Sequence, residues 1–386
     1  MAGITRPRTT TAPAALPLVG TAPAVLSGDG TEEEFHIPEL PRLLPVAYHP
    51  KAAQIEFQSN AWVCRMLGDC FADERALLAF LRQRNGLYGS LTVPAATEER
   101  ARDIADFYQF ATVVDDAGAD RGAVGSGHDR ARAAFARIMA SFGPEAAPDD
   151  DFPYSRAAGD LWRRITPGLA EPQVRRFRDS LEANLRASGA ELSYRSTETV
   201  PDLDSYLSVR VDSFGFPFIL LLTEYGAGVD ATSLHSDPDV VALHRHAVRQ
   251  MILINDVLSW RKEHALHDTM NAVRVVRAHD GLSLQQAVNR VCGLAERHEL
   301  AYIETRDRIR NGPLGGREDV LTYLDALDHM IGGSQEFEYL TPRYYGDGYV
   351  WDGATSGWIS LTAPIARFRA EPGSRGGSPR PGRGNH

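Results

Sequence analysis

Apolar residues recur at three- and four-residue spacing through most of residues 35–371, the pattern of helices that each bury one face. Ala76–Leu81, Phe177–Leu192, Val240–Leu258, Leu284–Ile309 and Val320–Ile331 carry it most clearly and are predicted as helices. Alternating Val/Ile/Thr runs bounded by hairpin turns are almost absent, and no strand–glycine–helix unit suggests a Rossmann or P-loop fold. The pattern therefore predicts an all-α fold. Connections are expected where Gly and Pro gather, at Gly86–Gly89, Gly226–Pro238 and Gly312–Gly316. Residues 144–153, with Pro144, Pro148 and the run Asp149–Asp151, read as a loop.

Outside the periodic region the character changes. Residues 1–34 are rich in Ala, Pro, Thr and Gly and read as a disordered arm; residues 372–386 read as a flexible Gly/Arg/Pro tail. No low-complexity linker divides residues 35–371, so one helical domain is expected there. Of the 386 residues 43% are hydrophobic, enough for a sizeable core. The net charge of −10 argues against a nucleic-acid partner, which would need a basic footprint. The three cysteines, Cys64, Cys70 and Cys292, make no disulfide framework and no C-x-x-C zinc spacing, so a reducing cytoplasm is the expected location. The longest apolar run, Phe214–Thr223, falls short of the ~18 residues of a membrane span. No signal-peptide core is evident near the start.

Two oxygen-rich clusters stand out against this apolar background. Asp115, Asp116 and Asp120 follow the aromatic run Ile104–Val114, and at about 100° per residue Asp116 and Asp120 share a face if the helix continues. Carboxylates that close repel one another unless a cation neutralises them. The same acids also suit a solvated helix end, with Gly118 as terminator, although acids at a helix C-terminus oppose the macrodipole. EF-hand spacing is absent. The second cluster, Asn255, Ser259 and Glu263, is spaced i, i+4, i+8 and falls within about 80° of helical arc. An amide, a hydroxyl and a carboxylate suit Mg²⁺ that keeps waters and shares phosphate oxygens. They equally suit the polar face of an amphipathic helix. Lys262 can meet a phosphate oxygen as a point charge. His264 and His267 are i, i+3, but no third ligand has a suitable spacing, so zinc is set aside.

Taken together, the clusters resemble the paired motifs of the bacterial class I terpene synthases. Asn255, Asp256, Ser259, Lys262 and Glu263 match the family's N-D-x-x-S-x-x-K-E motif in full. Asp115, Asp116 and Asp120 match the D-D-x-x-x-D variant of its acidic motif. His267-Asp268 with Asn271 and Val273 resembles its downstream G-D-x-x-N-x-V, with His in place of Gly. Phe35–Pro38, His49-Pro50 and the pair Arg343-Tyr344 extend the likeness over roughly residues 35–345.

The resemblance implies a single-domain helical bundle around an apolar cavity, with three Mg²⁺ ions. Asp115 would bind two of them, with Asp116 and Asp120 as weaker candidates that Arg pairs could occupy. Asn255, Ser259 and Glu263 would bind the third. It implies that Arg210 senses a diphosphate, that Ser213, Phe214 and Gly215 break a helix to aim a carbonyl at the substrate, and that Lys262, Arg343 and Tyr344 bind the diphosphate. Gly215 and Pro217 favour a break on their own account. A carbocation needs water excluded and aromatic faces nearby. Phe107, Phe110, Phe214, Phe216, Phe218, Phe337 and Trp351 are candidates, each also suited to plain core. The expected activity is cyclisation of a prenyl diphosphate, farnesyl diphosphate favoured, with geranylgeranyl diphosphate as the rival. Homodimers are common in the family. A prenyl-chain elongating enzyme would need a second Asp-rich motif, and a non-catalytic helical scaffold is the alternative from a different class. Residues 345–371 extend past the family core, with a lid or a partner surface as the readings open to them.

Overall fold

A computed structural model describes residues 33–119, 127–143, 149, 151–197 and 199–370. The elements run β1 (Glu34–Ile37), α1 (Ala52–Met66), α2 (Glu74–Arg82), α3 (Tyr88–Thr92), α4 (Glu98–Ala119), α5 (Gly127–Ala140) and α6 (Pro153–Ile165). The chain continues through α7 (Glu171–Thr197), α8 (Leu203–Ser213), α9 (Phe216–Ala227), α10 (Pro238–Leu258) and α11 (Trp260–Ala265). It closes with α12 (Ala272–Asp280), α13 (Leu284–Asn311), α14 (Glu318–Leu340) and β2 (Gly357–Ser360). The expected arm and tail fall almost wholly outside the described residues, as do Asp120 and most of the 144–153 loop.

Helix boundaries follow side-chain chemistry. Asp73, Asp202, Asp237 and Asn271 each accept from backbone N–H groups in the first turn of α2, α8, α10 and α12. Ser283 and Gln286 form a reciprocal capping box at α13. The centre of the bundle is α9, whose residues Phe218–Gly226 are all buried. It packs against α4, α7, α8 and α14. One acid enters that core: Glu224 accepts from Arg176 at 2.7 Å and from Gln173 at 2.9 Å, with His235 Nε2 at 3.1 Å. Its charge is thereby compensated. No single helix among the described residues is long and apolar enough to cross a membrane. The bent pair α8–α9 has the length and composition only when both are counted together.

Three stretches differ from the sequence expectation. Gly86–Gly89 is not an open connection but a 3₁₀ turn running into α3, where Gly89 lies so close to Ala101 and Ala105 of α4 that no side chain fits. Glu34, expected in the arm, opens β1, which pairs antiparallel with β2 in the register Glu34↔Ser360 to Ile37↔Gly357. Residues 345–370 then pack against the bundle as a strap. Tyr345, Tyr349, Ile359 and Phe368 are buried, and Arg261 donates to Tyr345 O at 2.7 Å, Ser360 O at 2.8 Å and Ala363 O at 3.1 Å.

Candidate active site and metal centre

Side chains of α4, α5, α7, α10 and α14, with the junction of α8 and α9, enclose a cavity of about 190 Å³. Phe107, Phe110, Phe135, Phe142, Phe214 and Phe218 supply aromatic wall. Asp115, Asn184, Glu191, Arg210, Asn255, Glu338, Arg343 and Tyr344 supply polar groups to the same lining. The two distant oxygen clusters therefore meet at one chamber through Asp115 and Asn255.

The apolar run Ile104–Val114 is buried on most sides of α4, and this carries the acids to the cavity rim. Asp115 is 62% exposed there, whereas Asp116 is 16% exposed. Arg343, just past the end of α14, donates to Asp115 Oδ2 at 2.9 Å and to Asp116 Oδ2 at 2.7 Å. Lys262 reaches Asp116 Oδ1 at 3.5 Å. Burial pushes the Asp116 carboxyl up, but the two cations outweigh it and hold it below its ordinary range. Asp116 is thus ion-paired on both oxygens, and Asp115 keeps one oxygen without a cation partner among the described residues.

The Asn/Ser/Glu stripe continues across the end of α10. Ser259 is the last residue of α10's helical path and the cap of α11, with Asn255 O accepting from its N–H at 2.7 Å. Ser259 Oγ donates to Glu263 Oε1 at 2.9 Å, and Asn271 Nδ2 donates to Glu263 Oε2 at 2.7 Å. Burial, with Asp268 adding to it, raises the Glu263 carboxyl. Asn255 alone of the three lines the cavity. Its amide nitrogen donates to Tyr344 OH at 3.0 Å and to Glu338 Oε1 at 3.3 Å, which turns Oδ1 toward Arg210 at 3.5 Å. Glu338 Oε2 is buried with no hydrogen-bond partner. Asp256 plays a different part: it accepts from Tyr206 OH at 2.6 Å and Ala272 N at 2.8 Å, tying α10 to α8 and α12. Burial pushes its carboxyl up to about 7. His267, which stands where the resembled motif has Gly, adopts φ 52°, the left-handed conformation a glycine would take freely.

The donor set suits a hard divalent cation. It offers amide, hydroxyl and carboxylate oxygens, with an orphaned carboxylate oxygen alongside. Among the described residues no three His, Cys, Asp or Glu side chains are gathered at one point, so the mixed oxygen set is the candidate.

The helix break lies at Gly215, which has φ 81° and would place any Cβ against the ring of Phe218. It bends α8 from α9 by 44°. Arg210, one turn earlier, is 14% exposed; it donates to Glu191 Oε1 at 3.4 Å and lies 5.6 Å over the Phe214 ring. Ser213 Oγ donates to the same Glu191 oxygen. A continuous polar band thus runs from Asp115 through Arg343, and from Tyr344 through Asn255 and Arg210 to Glu191.

Phe107, Phe110, Phe214 and Phe218 reach the cavity, but three other aromatic candidates do not. Phe337 is fully buried behind the wall, edge-on to Tyr88 at 5.5 Å and Tyr108 at 5.3 Å, while its neighbour Glu338 faces the chamber. Phe216 faces a separate, more open groove of about 560 Å³ beside Arg176 and Val248 that holds none of the motif residues. Trp351 stacks on Tyr339 in the strap. Asn184, Glu191 and Glu338 line the chamber without belonging to any motif legible in the sequence. Only the helical spacing of Asn184, Ser188 and Glu191 could have hinted that α7 carries a polar stripe.

An all-α bundle around one aromatic chamber, rimmed by an acidic helix end, an Asn/Ser/Glu helix and an Arg-Tyr pair, defines an enzyme that handles an apolar chain with a charged head. The comparisons agree. The family described as terpene synthase family 2, C-terminal metal binding, matches residues 106–299, half of the chain. The chain belongs to that family and is a class I terpene synthase with a divalent-metal region. It is similar to alpha-muurolene synthase of Coprinopsis cinerea, 26% identical over 344 residues that cover 85% of this chain and 78% of that one. It is also similar to spiroviolene synthase of Streptomyces violens, 28% identical over 325 residues that cover 83% and 89%. The crystal structure of SVS_A2, from ancestral sequence reconstruction, superposes with a TM-score of 0.70 at 26% identity, covering 87% of this chain and 96% of that one. Linalool/nerolidol synthase of Streptomyces clavuligerus shares the fold, with a TM-score of 0.67 at 22% identity over 79% and 99%.

Proposed function

We propose that this enzyme ionises farnesyl diphosphate and cyclises the resulting cation to a sesquiterpene hydrocarbon or alcohol. The observation that carries the reading is the meeting of Asp115, Arg210, Asn255, Arg343 and Tyr344 at one cavity with Phe107 and Phe110. Similarity to sesquiterpene synthase Agr3 of Cyclocybe aegerita and to sesquiterpene synthase 1 of Postia placenta favours the C15 chain.

Asp115 on one side, and Asn255, Ser259 and Glu263 on the other, would hold Mg²⁺, three ions by family resemblance; bound metal supplies Lewis-acid charge to the leaving diphosphate. Asp120 stays a candidate ligand from the motif alone, and Asp116 serves as the partner of Arg343 and Lys262. Arg210, Lys262, Arg343 and Tyr344 donate to the diphosphate oxygens. The allylic carbon–oxygen bond breaks with both electrons leaving on diphosphate. The rings of Phe107, Phe110 and Phe214 face the allylic cation and exclude water. At the break, Phe214 O accepts no hydrogen bond from the described residues, which leaves its dipole available to the cation. Gly215 permits that turn. The cation is discharged by loss of a proton, or by capture of water with loss of a proton. Phe337 acts only by backing the wall. Free Cys64, Cys70 and Cys292 fit a reducing cytoplasm, and a homodimer is the assembly the family resemblance favours.

The test is incubation with geranyl, farnesyl and geranylgeranyl diphosphates plus Mg²⁺, reading diphosphate release and the products by mass spectrometry. Cyclic C15 product is expected. Product from the C20 substrate alone overturns the chain-length assignment, and no diphosphate release from any of them overturns the cyclase reading. Asn255→Ala or Glu263→Ala is expected to abolish turnover with little change in helicity.

A further inference from the structure

We propose that Asn184 is a positioning residue that determines which carbonyl of the α8–α9 break faces the substrate cation. The inference rests on the cyclase reading above.

Where Gly215 turns left-handed, the helical ladder stops, and the last carbonyls of α8 lose their usual donors. Two of them are taken up by one side chain from another helix. Asn184 Nδ2, on α7, donates to Asp212 O at 2.8 Å and to Ser213 O at 3.0 Å. Asp212 O also accepts from Gly215 N at 3.0 Å. Phe214 O, the next in line, accepts from none of the described residues. Asn184 is half-buried in the cavity lining, and Glu191, farther along the same helix, holds both Ser213 Oγ and Arg210. The break is therefore fastened to α7 at two points, and one amide occupies Ser213 O, which would otherwise compete with Phe214 O, while adding a second donor to Asp212 O.

A carbonyl oxygen fixed in a dry cavity stabilises a positive charge that approaches its lone pairs, and a carbonyl already accepting a hydrogen bond does so less. With Asp212 O and Ser213 O engaged, Phe214 O presents one preferred position for the cation. Loss of the amide frees Ser213 O and leaves Asp212 O with Gly215 N–H alone, so the cation acquires another place to stop and lose its proton. The property that Asn184 sets is fidelity of product rather than the initial ionisation.

The experiment measures product ratios for Asn184→Leu, which keeps the shape and removes the donors, and for Asn184→Gln, which keeps an amide. Wild type, both variants and Asn184→Ser are each incubated with geranyl, farnesyl or geranylgeranyl diphosphate and Mg²⁺, and the ratios are read on whichever chain length wild type turns over. Asn184→Leu is expected to shift the ratio of main to minor products by about fivefold, the size of one lost hydrogen bond, and Asn184→Gln to recover part of it. A residue that merely holds the fold would lower the active fraction and leave the ratio unchanged, because the ratio is counted per turnover. Should Asn184→Leu not fold, Asn184→Ser reads the same ratio. Active wild type with unchanged ratios in the folded variants overturns the role of Asn184 alone. Inactive wild type on all three chain lengths overturns the underlying reading instead.

Discussion

Arg343 Nη1 donates to Asp116 Oδ2 at 2.7 Å and so joins the end of α14 to the end of α4 across 227 residues of sequence. The guanidinium is 6% exposed, and its second arm holds Asp115. An arginine so placed neutralises the acidic motif and can turn to a diphosphate when one arrives, since its planar fork suits either oxyanion. Arg343→Gln is expected to lower kcat/KM by about 10²-fold or more and to lower the melting temperature as well, because Asp116 is left with Lys262 as its one cation partner among the described residues. Steady-state kinetics with a melting curve on the same preparation checks both halves.

Gly215 is the second point of sensitivity. Its φ of 81° and the crowding by Phe218 mean that Gly215→Ala forces either backbone strain or movement of the Phe218 ring. A loss of about 1–3 kcal/mol is expected in chemical denaturation. Because Phe218 also lines the cavity, the products that remain should include a larger share of minor ones, read by gas chromatography.

Glu224, in the middle of α9, gives the bundle an acid limit. Burial pushes its carboxyl up, but hydrogen bonds from His235, Arg176 and Gln173 outweigh that and bring it down to about 2. A folded value below the unfolded one, 4.5, means the stabilisation is complete above pH 4.5 and is lost as pH falls toward 2. The amount is roughly 3 kcal/mol. Glu224→Gln should therefore lower stability at neutral pH and flatten its decline across that acid window, measured by urea unfolding at a series of pH values.

The parts of this enzyme that were legible in the sequence are those coded by helical periodicity. Asn255, Ser259 and Glu263 are a local pattern, and the hydrogen bond from Ser259 to Glu263 joins residues one turn apart. The apolar run before Asp115 likewise says that the helix is buried, and hence that its acids meet a cavity. What periodicity leaves open is which way a buried helix is rotated. Phe337 and Glu338 are neighbours about 100° apart, and hydrophobicity favours the first as cavity wall, whereas the structure turns the second into the chamber. The clamp by Asn184 spans 28 residues to Asp212 and has no local signature. The strap was illegible for the same reason: β2 is four residues long and finds its partner at the far end of the chain.

That pairing has a kinetic corollary. Glu34 and Arg369, 335 residues apart, bracket the sheet, and Arg261 grips three carbonyls of the strap. A contact of such span closes only after the intervening helices have condensed. During folding the edge of β1 thus stays unpaired until the strap docks. Arg261 lies between Ser259 and Glu263, so docking of the strap also fixes the segment that carries two of the candidate metal ligands.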